Sequence, residues 1–303
     1  KQLFALGLTV EEIVARLDPS ADAFGVTNMW TFSWPLVREL IQQMKARFPD
    51  KPIVCGGEHF SGLPELSMQQ APIDFVVRGE GEEGAVEVFN GLRLGRDKVD
   101  WSEVAGIWYR DAQGKPVQSK LPRERIRNID DLPWPAWDLI DIQVYNDEGF
   151  INGLNQGKTV PILATRGCPY QCTYCASPNM WTTRWYARDP KDVVDEMQFY
   201  KEHHGATNFP FQDLTAILKR DWIIEFCKEL ESRKLNVTWQ FPSGTRCEVI
   251  DDEVAELLAR TGGRSLALAP ESGSERTRKL IQKRMKTESL LEAVKASVKA
   301  KLN

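Results

Sequence analysis

No stretch of this 303-residue sequence stays apolar for the roughly 20 residues that a membrane-spanning helix requires, and no charged-then-apolar leader opens it. A basic surplus is missing too. With 39 basic against 43 acidic residues the net charge is −4, without the bias that nucleic-acid binding would give. Internal repeats and low-complexity tracts are also lacking. Cysteine is scarce and badly placed for a disulfide framework: of six, Cys168, Cys172 and Cys175 crowd into eight positions, while Cys55, Cys227 and Cys247 are scattered through apolar or mixed segments. Three thiols so close together suit a metal site in a reducing compartment, so a cytoplasmic location is expected; the scattered ones read as small buried hydrophobes. What is present is the composition of a folded chain, 42% apolar and 27% charged, at a length that suits two cores. The sequence opens on Lys1 and closes on Asn303 directly after a helical pattern over 287–301, with no strand following, and so reads as a fragment.

From residue 9 to 95, helical patterns alternate with short apolar runs at 23–27, 52–55 and 74–77 that read as strands. Leu36, Val37, Leu40, Ile41 and Met44 follow helical spacing, and that run stops at Pro49. This order predicts a parallel sheet with helices on both faces and ligands beyond the carboxyl ends of its strands. Gly56 and Gly57 follow one strand; Gly79, Gly81 and Gly84 follow the next. Residues 106–110 and 116–119 flank a turn and read as a hairpin. Residues 128–141, with Pro133, Trp134, Pro135 and Trp137, read as a stiff connector that packs on something. Strands are expected again at 160–165, 207–211, 237–241 and 265–269. A helix over 190–203, with Asp189 as N-cap and Pro190 as its first residue, lies among them. Four such units fit a parallel barrel or half-barrel, whose chemistry gathers at the strand C-termini. The expectation is an α/β chain in three parts: a domain at 1–98, a small β piece and linker at 99–150, and a barrel at 151–303.

The sequence Cys168-Pro169-Tyr170-Gln171-Cys172-Thr173-Tyr174-Cys175 sits directly after the first barrel strand. A cubane cluster takes one ligand per iron, so three cysteines leave one iron open, unlike the four-thiolate electron carriers. Structural zinc would need a fourth protein ligand, and His203 and His204 lie about one barrel unit away. A chance group of buried thiols is the other alternative. The CxxxCxxC spacing, with an aromatic before its last cysteine, resembles the radical S-adenosylmethionine (SAM) superfamily. That resemblance implies a [4Fe–4S] cluster whose open iron is chelated by the amino and carboxylate groups of SAM. An electron from the cluster then cleaves the sulfonium to a 5′-deoxyadenosyl radical that takes hydrogen from substrate. It also implies SAM contacts at Tyr174, over the adenine, and at Asp213 toward the amino group, although the Gly-Gly-Glu of many members is absent. Ser243 and Arg246 follow the third strand, with Arg246 toward the carboxylate or in a surface salt bridge. Glu271 and Ser272 follow the fourth and would meet the ribose, unless Ser272 simply caps the next helix.

The runs Ile53-Val54-Cys55-Gly56-Gly57-Glu58-His59 and Asp74-Phe75-Val76-Val77-Arg78-Gly79-Glu80-Gly81-Glu82 resemble the later half of the cobalamin-binding domain fused to many radical SAM enzymes. Taken alone, these glycines are equally tight turns. The resemblance implies a partial Rossmann-like cobalamin domain followed by a partial (β/α)6 barrel. Cobalamin contacts would come from Thr27, Asn28, Met29, Trp30, Gly56, Gly57, Glu58, His59, Gly79, Glu80, Gly81 and Glu82. His59 reads as a hydrogen-bonding loop residue ahead of an axial cobalt ligand, and Trp30 as corrin lining or core. Trp181, Arg184, Trp185 and Tyr186 place aromatics where substrate or corrin would sit, or form a lid. The activity implied first is methyl transfer from methylcobalamin to an unactivated carbon of a small-molecule or lipid-like substrate, with an electron donor such as a flavodoxin or ferredoxin. Ring closure or rearrangement, as in anaerobic tetrapyrrole cyclases, is the rival. An iron–sulfur redox or sensing module that leaves SAM intact is the reading outside enzymes.

Overall fold

A computed structural model describes residues 7–303, and the chain divides into two compact units between Ile126 and Arg127. In the first unit β1 (Phe24–Thr27), β2 (Ile53–Gly56) and β3 (Phe75–Val77) are parallel. The strands β4 (Ile107–Arg110) and β5 (Pro116–Gln118) continue the same sheet antiparallel, in the order β1-β2-β3-β4-β5. The hairpin read from 106–119 therefore extends this sheet: Val77 pairs with Ile107. All three residues of β3 are buried, as a parallel strand covered on both faces requires. One face packs Phe24, Ile53 and Cys55 against Ile41 and Met44 of the helix Trp34–Arg47. The other packs Val54, Phe75 and Val77 against Val88 of the helix Gly81–Leu94.

Gly57 joins β2 to the helix Glu58–Gly62 at φ +97°, and a Cβ there would stand 2.7 Å from the Asn28 carbonyl oxygen. Glycine is required on both counts. Gly57→Val is expected to lower stability by about 1–3 kcal/mol in urea unfolding, through backbone strain and a contact that cannot relax.

In the second unit β6 (Thr165–Arg166) and β7 (Tyr186–Ala187) form a short antiparallel ladder. The strands β8 (Asn208–Pro210), β9 (Thr238–Thr245) and β10 (Gly263–Leu268) are parallel in the order β10-β9-β8. The strand expected at 160–165 lies beside β8 and is broken into isolated bridges. Val160 N donates to Asn208 O (3.0 Å) and Ile162 N to Pro210 O (3.1 Å), and the nitrogen of Pro161 between them faces the other edge. Four neighbouring parallel segments thus curve through the unit around Val160, Phe209, Trp239 and Leu266, with helices Pro190–His204, Arg220–Arg233 and Asp252–Arg260 outside. The connector packs on this core: Trp134 and Trp137 lie against it, and Tyr200 Oη donates to Pro135 O at 2.9 Å.

Arg188, just past β7, is nearly buried. It pairs with Glu196, which is 1% exposed, and with Asp192 (Nε to Oδ2 2.9 Å), and donates to Leu163 O at 2.9 Å. Among the described residues no helix is long and apolar enough to cross a membrane.

Candidate active site

The cysteine motif occupies the excursion between β6 and β7, closed at its base by the pairs Thr165–Ala187 and Arg166–Tyr186. Gly167 starts it at φ +87°. Within the loop Cys175 N donates to Cys172 O (3.0 Å), and Thr173 N donates to Ile281 O (3.0 Å), which docks the loop on the segment after the helix Glu275–Leu280. Cys172 Sγ lies 4.0 Å from Gln282 O, and Cys175 Sγ 3.3 Å from Ser177 Oγ. Burial raises the Cys168 thiol pKa, the Tyr170 backbone N–H opposes it, and the neighbouring Cys175 and Cys172 add to the rise. All three thiols open on one cavity of about 180 Å³ at the carboxyl ends of the barrel strands, with Tyr174, Ser243, Arg246, Glu271 and Lys283 on its wall. Two larger clefts, about 670 and 560 Å³, hold none of these thiols; the larger lies at the amino ends of β9 and β10. Chemistry outweighs size here. Three thiolate donors facing open space fit a cluster with one uncommitted iron.

The residues expected around SAM divide by position. Tyr174, Ser243, Arg246 and Glu271 line the cavity. Partial burial and the nearby Cys172 raise the Tyr174 hydroxyl well above the ordinary tyrosine range, and the Glu271 carboxylate adds to the rise. Glu271 holds φ +65°, and Gln282 and Arg284 are also left-handed, at +56° and +49°. Backbone strain thus gathers at this rim, as it does at functional sites. Arg246 is engaged already: Nε donates to Glu248 Oε2 (3.1 Å), Nη2 pairs with the other Glu248 oxygen, Nη1 donates to Lys283 O (2.5 Å), and the guanidinium lies 4.0 Å over the Tyr170 ring. Ser272 is off the wall; its Oγ accepts from Ser274 N (3.1 Å), and Ser274, not Ser272, caps the helix Glu275–Leu280. Of the aromatics beyond the loop, Trp185 donates from Nε1 to Thr215 O at 3.0 Å, on the cavity edge. Trp181 ends a short helix, Tyr186 belongs to β7, and Arg184 is exposed between them. Tyr170, Thr215 and Lys283 also line the cavity and were not singled out from sequence. Tyr170 sits inside the motif itself, whereas Lys283 carries no sequence signal.

Asp213 follows β8, 2% exposed, accepting from Thr165 Oγ1 (2.6 Å) and Ala164 N (3.3 Å). Burial outweighs these donors and pushes its pKa from 3.8 up to about 6. The folded state therefore holds this proton more tightly than the unfolded chain. Its contribution is full below pH 4 and is lost as pH rises through 6, a swing of about 3 kcal/mol. Asp213→Asn should remove that swing: the stability of the native protein relative to the variant, from urea titrations, is expected to fall between pH 4 and pH 7. A constant difference would refute it.

In the first unit Thr27, Asn28, Gly56, Gly57 and residues 79–82 all stand at or just past the carboxyl ends of β1, β2 and β3. Asn28 is buried; its Oδ1 accepts from Ser33 Oγ (2.5 Å) and Trp30 N (3.3 Å), while its Nδ2 is buried with no partner among the described residues. Met29, Trp30 and Phe32 are exposed, and the Trp30 and Phe32 rings stack at 6.0 Å. His59 is buried: Nδ1 lies 3.2 Å from Thr31 Oγ1, Nε2 3.2 Å from Ser67 Oγ, and its ring stacks on Trp34 at 4.8 Å. Burial lowers its pKa. Both ring nitrogens are occupied, so His59 is a hydrogen-bonding residue in this structure. Glu58 opens the helix Glu58–Gly62 and Glu82 lies in the first turn of Gly81–Leu94. The buried Glu80 pairs with Arg125 (2.9 Å) and accepts from Ile126 N (2.8 Å). A Cβ at Gly79 or Gly81 would meet nothing within 4 Å. Open glycine backbone, an exposed aromatic shelf and one orphaned buried amide fit a large flat ligand with polar side chains.

A parallel half-barrel with three thiols at its carboxyl end, after a doubly wound sheet with a glycine-lined edge, defines a radical SAM protein with a cobalamin-type domain. Residues 162–303 match the radical SAM superfamily and residues 3–89 the B12 binding domain, and the chain belongs to the family that joins the two. The cofactors of that family are a [4Fe–4S] cluster, SAM and cobalamin. The chain is similar to an uncharacterized methyltransferase of Pyrococcus horikoshii, at 26% identity over 96% of this chain and 60% of that protein. It is also similar to the anaerobic magnesium-protoporphyrin IX monomethyl ester cyclase of Synechocystis, at 30% identity over 95% of this chain and 56% of that protein. Among solved structures, the radical SAM methyltransferase TsrM of Kitasatospora setae, with tryptophan and a SAM analog bound, shares the fold at a TM-score of 0.74 and 21% identity, over 97% of this chain and 57% of that one. The chain thus spans less than two thirds of each of these proteins.

Proposed function

We propose that the protein reductively cleaves SAM on a [4Fe–4S] cluster held by Cys168, Cys172 and Cys175, and that it uses cobalamin to methylate an unactivated carbon. The observation that carries this reading is one cavity shared by the three thiols, Tyr174, Ser243 and Glu271. When bound, the cluster supplies an electron and cobalamin a methyl group. The protein residues bind and orient. Cys168, Cys172 and Cys175 would each hold one iron of the cluster and leave one iron without a protein ligand. Glu271 is placed to accept hydrogen bonds from the ribose hydroxyls, and Tyr174 to lie along the adenine. Arg246, clasped by Glu248, holds the segment that carries Lys283. In the first unit Asn28 Nδ2 would donate to cobalamin and Trp30 would pack against it, with His59 left as a second support for the loop. The work calls for a reducing compartment such as the cytoplasm, a flavodoxin or ferredoxin as donor, and a small-molecule or lipid-like substrate.

Methyl transfer is supported by the Pyrococcus relative; the Synechocystis cyclase favours ring closure as the second reading. The test is anaerobic reconstitution with iron, sulfide and hydroxocobalamin, reduction with SAM, and mass analysis of 5′-deoxyadenosine and product. Deoxyadenosine with bound cobalamin and a product heavier by one methylene supports methyl transfer. A product of unchanged or reduced mass supports the cyclase reading, and an intact cluster giving no deoxyadenosine even with substrate present refutes both.

A further inference from the structure

We infer that Lys283 receives the carboxylate of SAM, and that Glu271 holds it in readiness until SAM arrives. This rests on the SAM-cleaving function proposed above. Two cations line the cavity, Arg246 and Lys283. Every nitrogen of the Arg246 guanidinium is already used, two on Glu248 and one on Lys283 O, and its face is covered by Tyr170. Two of its five N–H groups remain, but a second carboxylate there would share the guanidinium with Glu248, tethered two residues away at high effective concentration. Lys283 differs. Its ammonium has three N–H groups and one partner among the described residues, Glu271 Oε1, at a long 3.3 Å. The side chain is only 12% exposed, so the charge is largely withdrawn from water on the same wall as the thiols. Its backbone is fixed: Lys283 N donates to Arg278 O (2.9 Å), its carbonyl accepts from Arg246, and Gln282 and Arg284 on either side are left-handed.

The Glu271–Lys283 pair joins an exposed carboxylate to a mostly buried ammonium, whose charge would be the less favourable one alone. An incoming α-carboxylate can take Lys283 from Glu271, and Glu271 is then released to accept from hydroxyl groups. One exchange readies both walls. Arg246 is a positioning residue for Lys283 in this arrangement.

The test is equilibrium binding to the reconstituted holoprotein, kept oxidised so that nothing turns over, with SAM and decarboxylated SAM as paired probes. Lys283→Met should weaken SAM about 10–100-fold, the value of one charge-assisted bond, and leave decarboxylated SAM within about threefold. The preference for SAM falls by the same factor, and Lys283→Arg should restore it. Equal weakening of both probes, or no weakening of either, overturns the assignment. If the unsubstituted holoprotein binds neither probe, the SAM-cleaving function itself fails, so the two failures are distinguishable.

Discussion

Cys172→Ala is expected to cost the protein its cluster: after anaerobic reconstitution, iron content and the visible charge-transfer band should collapse, and deoxyadenosine formation should fall on the order of 100-fold or more. Changes one shell further out already cost about 10–100-fold at metal sites, and a direct ligand sets that as the floor. The reason lies in position. Cys172 opens on the shared cavity and its loop is docked through Thr173 N on Ile281 O, which holds this thiol at the wall beside Cys168 and Cys175. Cys55 and Cys227 supply the contrast. Both are buried in apolar packing, which raises the Cys55 thiol well above its ordinary range and pushes Cys227 up to about 12. Thiols that resist ionisation are poor metal ligands. Cys55→Ala and Cys227→Ala should therefore keep full iron content; loss of iron in either, or its retention in Cys172→Ala, would contradict the assignment.

The largest stability effect is expected at Arg188→Met, about 3–5 kcal/mol in urea unfolding, because the variant strands Glu196 in the core with no counter-charge. Glu196 is already raised by burial, with Arg188 pulling it down again. Without that arginine the folded pKa rises further. The deficit should then be small below pH 4.5 and grow as pH rises through the raised value. Arg188→Met combined with Glu196→Gln should recover much of the loss. A loss below about 1 kcal/mol at pH 8 in the single variant would show that water reaches Glu196.

Much of the fold could be read from the chain because its strands are short runs of branched and aromatic residues bounded by proline and glycine. The expected strands at 23–27, 52–55 and 74–77 correspond to β1, β2 and β3, and Asp189 caps its helix through Lys191 N as expected. The cysteine loop was legible because its spacing is local. Pairings between distant segments were not. Nothing in Tyr186-Ala187 announces a ladder with Thr165-Arg166, since two residues carry no periodicity. Nor did the hairpin at 107–118 reveal that it would join the sheet, because its register with β3 is set by packing on Trp101 and Val88. The occupied state of Arg246 was equally hidden: Glu248 is visible two residues away, yet only the fold turns both toward one side. Lys283 stands 12 residues past Glu271, brought back by the buried Arg278, which donates to Ser272 O and Met285 O.

The two rungs that join β6 to β7 bear on how the metallocentre is assembled. They hold the ends of the cysteine loop about 5 Å apart through backbone pairing. Part of the entropy of closing that loop is thus offset by the polypeptide's own hydrogen bonds, and the ligand bonds do not bear it alone. Three donors on a loop pinned at both ends have fewer arrangements to search than the same cysteines on an open strand.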